Sequence, residues 1–206
     1  MTDKKILALG FFDGVHLGHQ VLLKACVGLA RQLNMRPAAI TFDRHPQALF
    51  RQAPPQLTSV RDREALLRQY GMADVFVLPV VEAVMQMPWE DFLLRQMENG
   101  AAGFVCGADF RFGNRGEGNA QLLAEFCRER NLPCVIVPDQ LLGGIRISST
   151  HIRQLLEQGE MARAVEFLGH PHSLSGVVVP GKQLGRTIGI PTANIRIPEG
   201  VLVPTC

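Results

Sequence analysis

A chain of 206 residues can bury a substantial core and hold one domain with part or all of another. Its 47% hydrophobic and 19% charged residues are ordinary for a soluble globular protein, and a net charge of +2 argues against extensive non-specific nucleic-acid binding. No run approaches the roughly twenty apolar residues a membrane helix needs, and the apolar stretch after Lys4 and Lys5 meets Asp13 too soon for a secretory leader. The expectation is a cytoplasmic protein with neither a membrane nor a nucleic-acid partner. Cys26, Cys106, Cys127, Cys134 and Cys206 are odd in number and include no Cys-x-x-Cys pair, so they read as reduced thiols.

Lys4 to Leu9 suits a buried strand, after which Gly10 and Gly14 let the backbone turn sharply. A helix should begin near His16, because Leu22, Ala25, Cys26, Leu29, Ala30 and Leu33 recur at three- and four-residue intervals. His16 and His19 then share one face at its N-terminus, where free amides and the helix dipole favour an anion. Pro37 to Phe42 reads as a second strand, and its end carries Thr41, Phe42, Asp43, Arg44, His45 and Pro46. Ligands of open α/β sheets gather at that end of a strand. Ser59 with Asp62 marks an N-cap, and Gly71 closes the helix that follows. Asp74 to Pro79 is a third strand, Pro88 and Gly100 bracket a helix containing Trp89 as a packing residue, and Gly103 to Gly107 is a fourth strand.

The loop from Ala108 to Gly118 holds Phe110 and Phe112, Arg111 and Arg115, and three glycines, a set suited to a flat phosphorylated ligand. A helix over 119–131 and a strand over 133–138 lead into Ile147-Ser148-Ser149-Thr150-His151-Ile152-Arg153. There Ser149 or Thr150 is expected to cap a second helix, with Arg153 one turn in and able to reach the same anion. Strand, helix and strand in alternation predict an α/β, Rossmann-like parallel sheet.

The run from Gly10 to His19 resembles the GxFDGxHxGH signature of the class I-type nucleotidyltransferases. Ile147 to Arg153 resembles an ISSTxIR motif, Thr41 to Pro46 a TFxxHP segment, and Gly107 to Gly113 a GxDFxFG segment. Together they resemble bacterial FAD synthetase, the bifunctional riboflavin kinase/FMN adenylyltransferase family, over nearly the whole chain. The resemblance implies adenylyl transfer from ATP to FMN with Mg²⁺. His16 and His19 would stabilise the α-phosphate, Gly10, Phe12, Asp13 and Gly14 would shape the nucleotide pocket, and Ser148, Ser149, Thr150 and Arg153 would hold the triphosphate. On the flavin side it implies Thr41, His45, Pro46, Asp109, Phe110, Arg111 and Phe112. Phe11 stands where many relatives have asparagine, and Arg44 where proline is frequent.

A nucleotidyltransferase domain over 1–169 and the start of a riboflavin kinase-like β-barrel over 170–206 are expected. Pro191, Thr192, Ala193 and Asn194 match that kinase's motif, so Thr192 and Asn194 would bind magnesium only if the barrel were completed. About thirty-seven residues form two or three strands, too few for a closed barrel. The family's glutamate base has no counterpart here, so riboflavin phosphorylation is not expected of this chain. Strand edges bearing 177–179 and 201–203 are expected to stay unpaired, with the tail removable by proteolysis near residue 170. The alternatives are another small-molecule adenylyl- or cytidylyltransferase, or a flavin- or nucleotide-binding protein without turnover.

Overall fold

The computed structural model describes residues 4–49, 53–181 and 192–205. Strand β1, Lys5–Leu9, alternates between two cores, as a strand covered on both faces must. Ile6 and Ala8 face a core with Leu22, Leu23, Cys26 and Ala30 of helix α1, Leu17–Gln32. Leu7 and Leu9 face the opposite core, with Phe104, Leu123 and Phe126. From α1 the chain enters β2, Arg36–Phe42, then α2, Val60–Gln69, and β3, Asp74–Leu78. A short α3, Glu82–Met85, precedes α4, Trp89–Glu98, and β4, Ala101–Gly107. Beyond it the two-residue strands β5, Arg111–Phe112, and β6, Gly118–Asn119, pair antiparallel, and α5, Ala120–Glu129, leads to β7, Cys134–Val137.

The sheet order is β3-β2-β1-β4-β7, and all its pairings are parallel. The chain winds outward from β1 on one side, then returns to the other side at β4. That reversal opens a crevice at the carboxyl ends of β1 and β4.

A hairpin of β8, Leu141–Leu142, and β9, Ile145–Arg146, delivers α6, Ser149–Glu157, and α7, Met161–Leu168. These two helices build a third core with Leu57. Ser148, rather than Ser149 or Thr150, caps α6, accepting from the His151 amide at 3.2 Å. The backbone is extended at Ser148 and helical from Ser149, whose hydroxyl donates to the Asp13 carbonyl at 2.9 Å.

The tail departs from the open edge expected of it. β10, Val177–Val179, pairs antiparallel with β11, Asn194–Arg196. Gln56 donates to the Gly200 carbonyl at 2.7 Å and accepts from the Leu202 amide at 2.8 Å. Leu202 is thereby buried in the third core. The physical reason is that both backbone groups of Gln56 pair with the segment around Gly200, and this sets Leu202 against Leu57 and the apolar residues of α6 and α7. Val177, Val178 and Val203 do remain exposed. The expected segment from Gly185 to Pro191 lies outside the described residues.

Candidate active site

The turn after β1 is held in backbone conformations that side-chain-bearing residues rarely adopt. Phe12 has φ 57°, Gly14 φ 77° and Val15 φ 39°, the last for a β-branched residue. Gly10 is required because a Cβ there would stand 2.8 Å from the Phe12 ring. Phe12 itself is fully buried and meets His19 edge-on at 5.3 Å. His16 caps α1, and its Nδ1 accepts from the His19 amide at 3.3 Å. An accepting Nδ1 carries no proton, so the neutral His16 ring carries its proton on Nε2. The two imidazoles stack, with centroids 3.6 Å apart and planes 14° from parallel.

Burial disfavours charge on both rings. It lowers His16 from the ordinary 6.5 to about 4, against an opposing backbone hydrogen bond and assisted by Arg146, Arg153 and His170. His19 is driven well below its usual range, first by burial and then by His16 and Arg63. Its buried Nδ1 has no hydrogen-bond partner among the described residues. The pair therefore stands ready as neutral donors and acceptors, and an incoming polyanion would itself favour the protonated rings.

Asp13 does not face a ligand. Its carboxylate accepts from the Leu57 amide at 2.9 Å, the Thr58 amide at 3.1 Å and Arg153 at 3.3 Å, and it is 1% exposed. Arg153 is thus the counter-ion of Asp13, with a buried Nε that has no hydrogen-bond partner among the described residues. The N-termini of α1 and α6 converge here. A Cβ on Gly18 would be 3.3 Å from the His16 ring and 3.8 Å from the Ile147 carbonyl, so Gly18 keeps the gap between them open. The amides of Leu17 and Gly18 precede the first intrahelical bond of α1, and Thr150 is exposed at the start of α6.

Beside this junction lies a cavity of about 810 Å³. Gly10, Phe12 and His19 form part of its wall, His45 and Pro46 another part, and Asp109 to Gly113 a third. The structure therefore brings together the predicted flavin residues His45, Pro46, Asp109, Phe110, Arg111 and Phe112. Thr41 is not among them. It is fully buried and donates to the Phe11 carbonyl at 2.7 Å. His16, Asp13, Gly14, Ser148, Ser149, Thr150 and Arg153 lie outside the cavity wall, at the helix junction.

Two features of the Ala108 to Gly118 loop answer to packing rather than to a ligand. Cβ atoms on Gly113 and Gly118 would fall 2.6 Å and 2.8 Å from Trp89, and Glu117 accepts from the Trp89 amide at 3.1 Å. Phe112 is buried in the core, with Phe110 stacked on it at 5.7 Å. Asp109 pairs with Arg146, which also reaches Asp139. Arg44 is exposed and lies 3.5 Å from Asp43.

Arg63 is a buried cation beside the cavity that the sequence hid. It is wholly buried and donates to the carbonyls of Phe11 and Phe42, to Thr41 and to Gln56, at 2.7 to 3.1 Å. Its guanidinium also lies 4.4 Å from the Phe11 ring centroid, and that ring lines the cavity. An arginine in a polar helix reads as a surface residue, and only the loops around it reveal otherwise.

A doubly wound α/β sheet whose switch point faces converging helix N-termini defines a nucleotide-phosphate-binding domain. Residues 1–151 match the family model described as FAD synthetase, and residues 168–206 match the one for riboflavin kinase. The chain belongs to the FAD synthetase family. It is 36% identical to the bifunctional riboflavin kinase/FMN adenylyltransferase of Listeria monocytogenes, over 98% of this chain and 66% of that protein. The protein of the same description from Escherichia coli is 36% identical over 93% of this chain and 63% of its own length. The chain thus spans just under two thirds of the curated relatives it matches. A crystal structure described as a macrolide-efflux protein from Streptococcus pneumoniae superposes with a TM-score of 0.85 at 28% identity, covering 99% of this chain and 68% of that one.

Proposed function

We propose that the chain transfers the adenylyl group of ATP to FMN, forming FAD and releasing pyrophosphate. The observation that carries this reading is the His16–His19 stack, set between a ligand-sized cavity and the joined N-termini of α1 and α6. In the reaction a phosphate oxygen of FMN bonds to the α-phosphorus of ATP as the bond to the β-phosphate oxygen breaks. No protein nucleophile is required, only alignment and stabilisation of charge. His16 and His19 would donate to the α-phosphate oxygens, and the free amides at the helix starts would receive the β- and γ-phosphates. The cavity would take the flavin, with Phe11, His45 and Phe110 providing apolar faces and Arg111 and Arg115 cations at its rim.

No cluster of three His, Cys, Asp or Glu side chains suited to a metal occurs among the described residues, and Asp13 is committed to Leu57, Thr58 and Arg153. Thr192 and Asn194 are exposed, at and just ahead of β11. A magnesium ion would enter on the triphosphate with its waters.

No helix among the described residues is long and apolar enough to cross a membrane, and Cys26, Cys106, Cys127 and Cys134 are free thiols. A cytoplasmic setting suits both.

Incubating the purified chain with ATP, Mg²⁺ and FMN should yield FAD and pyrophosphate in equal amounts. Pantetheine phosphate, nicotinate mononucleotide and glycerol phosphate should not replace FMN. Tight FMN binding without FAD would mark a binding protein instead, and pyrophosphate with another acceptor would reassign the substrate.

A further inference from the structure

Each carbonyl from Phe11 to Val15 is held by a donor. Phe11 receives Thr41 and Arg63, Phe12 the Val15 amide at 3.1 Å, and Asp13 the Ser149 hydroxyl. Gly14 is held from the far end of the chain, and Val15 by Gln20, which is itself tied to that end. His170 Nε2 lies 2.9 Å from the Gly14 carbonyl, and the Gln20 amide bridges the Val15 carbonyl at 3.0 Å and the Leu168 carbonyl at 2.7 Å. Both ring nitrogens of His170 face carbonyl oxygens, Nε2 that of Gly14 and Nδ1 that of Pro171 at 2.9 Å, and the ring holds the Gly14 carbonyl in the states that carry a proton on Nε2.

The corner that presents His170 is tightly built. Gly169 closes α7 at φ 72°, and a Cβ there would overlap the Leu17 side chain and press on the Gln20 amide. Two residues on, His172 Nε2 approaches the Leu57 carbonyl at 3.2 Å, beside the Leu57 amide that holds Asp13. Leu57 in turn shares the third core with Leu202.

We propose that His170, backed by Gln20, is a positioning residue for the adenylyl transfer. It fixes the Gly14 carbonyl in a strained turn and so keeps His16, two residues on, stacked on His19. Val15 at φ 39° would relax if its neighbours' carbonyls were released, and His16 would swing with it. The catalytic unit then runs past residue 151, where the family match stops, and past 169, into the segment carrying His170 and His172. Displacing a reacting group by about 1 Å can lower a rate by about a hundredfold, so even a small rotation of His16 matters.

The proposal rests on the adenylyl-transfer reading for its kinetic arm only. In the full chain, His170→Ala should lower kcat for FAD formation by about tenfold or more, with KM for ATP changed less than about twofold. It should also move the imidazole NMR signals of His16 and His19 in the ligand-free protein. His170→Gln, whose amide can donate to the same carbonyl, should restore most of the rate and the original signals. Unmoved His16 and His19 signals in His170→Ala would overturn the proposal, as would an unchanged kcat or a loss that His170→Gln does not repair. Should the unaltered chain form no FAD, the functional reading fails, while the ring signals still decide the positioning claim.

Discussion

Burial holds the His16 imidazole neutral through the pH range in which a free histidine titrates, and the fold stores that cost as acid sensitivity. Its pKa is about 4 in the folded chain against 6.5 for an unhindered histidine. As pH falls, the unfolded chain therefore takes up this proton first, and folding loses stability. The contribution is complete above 6.5 and gone near 4, and amounts to about 3 kcal/mol from this ring. Denaturation at stepped pH should show that fall, and His16→Asn, which retains a capping oxygen, should flatten it. An unaltered slope would place the acid sensitivity elsewhere. His19 adds to the slope in the same direction, since burial lowers it too. Both histidines were evident in the sequence because of their spacing around Gly18. The buried cation beneath them was not, since nothing local distinguishes Arg63 from the exposed Arg61 and Arg68.

Among elements, the loop between β4 and α5 shows how one composition serves two ends. Phe110, Arg111 and Arg115 face the cavity, whereas Gly113 and Gly118 exist for the close approach of Trp89. Gly113 has φ 76° with the Trp89 backbone in the way of any side chain. Gly143, in the β8–β9 turn, has φ 58° and open space. Gly143→Ala should therefore cost only backbone strain, about 1 to 2 kcal/mol, and Gly113→Ala about 1 to 3 kcal/mol more for the overlap. Equal losses on urea denaturation would mean that the Trp89 contact is not confining. The strands and helices of the sheet were legible because their apolar periods are regular. The cap of α6 was one residue off because Ser148, Ser149 and Thr150 all offer hydroxyls, and only the backbone conformation, extended at Ser148 and helical after it, decides which one caps.

For the whole molecule, the α/β sheet and the tail are joined by particular contacts rather than merely following one another. Sequence alone suggested a loose appendage, since about thirty-seven residues are too few to close a barrel and would leave strand edges open. The structure instead seats Leu202 in the core of α6 and α7 and ties His170 and His172 to the turn after β1 and to Leu57. Leu202→Ala should lower stability by about 2 to 3 kcal/mol within a single unfolding transition. A separate early transition, or a loss below about 0.5 kcal/mol, would restore the picture of an independent tail.

In the proposed reaction the turn, both helix N-termini and the tail would serve one chemical event, the breaking of ATP between its α- and β-phosphates. Supplying the purified chain with FMN, Mg²⁺ and ATP labelled at the α-phosphate follows that event directly. The label should appear in FAD, label from the γ-phosphate should appear only in pyrophosphate, and His19→Ala should lose most of the transfer while still binding ATP. An α-label that never reaches flavin, or a His19→Ala chain as active as the unaltered one, would contradict the account.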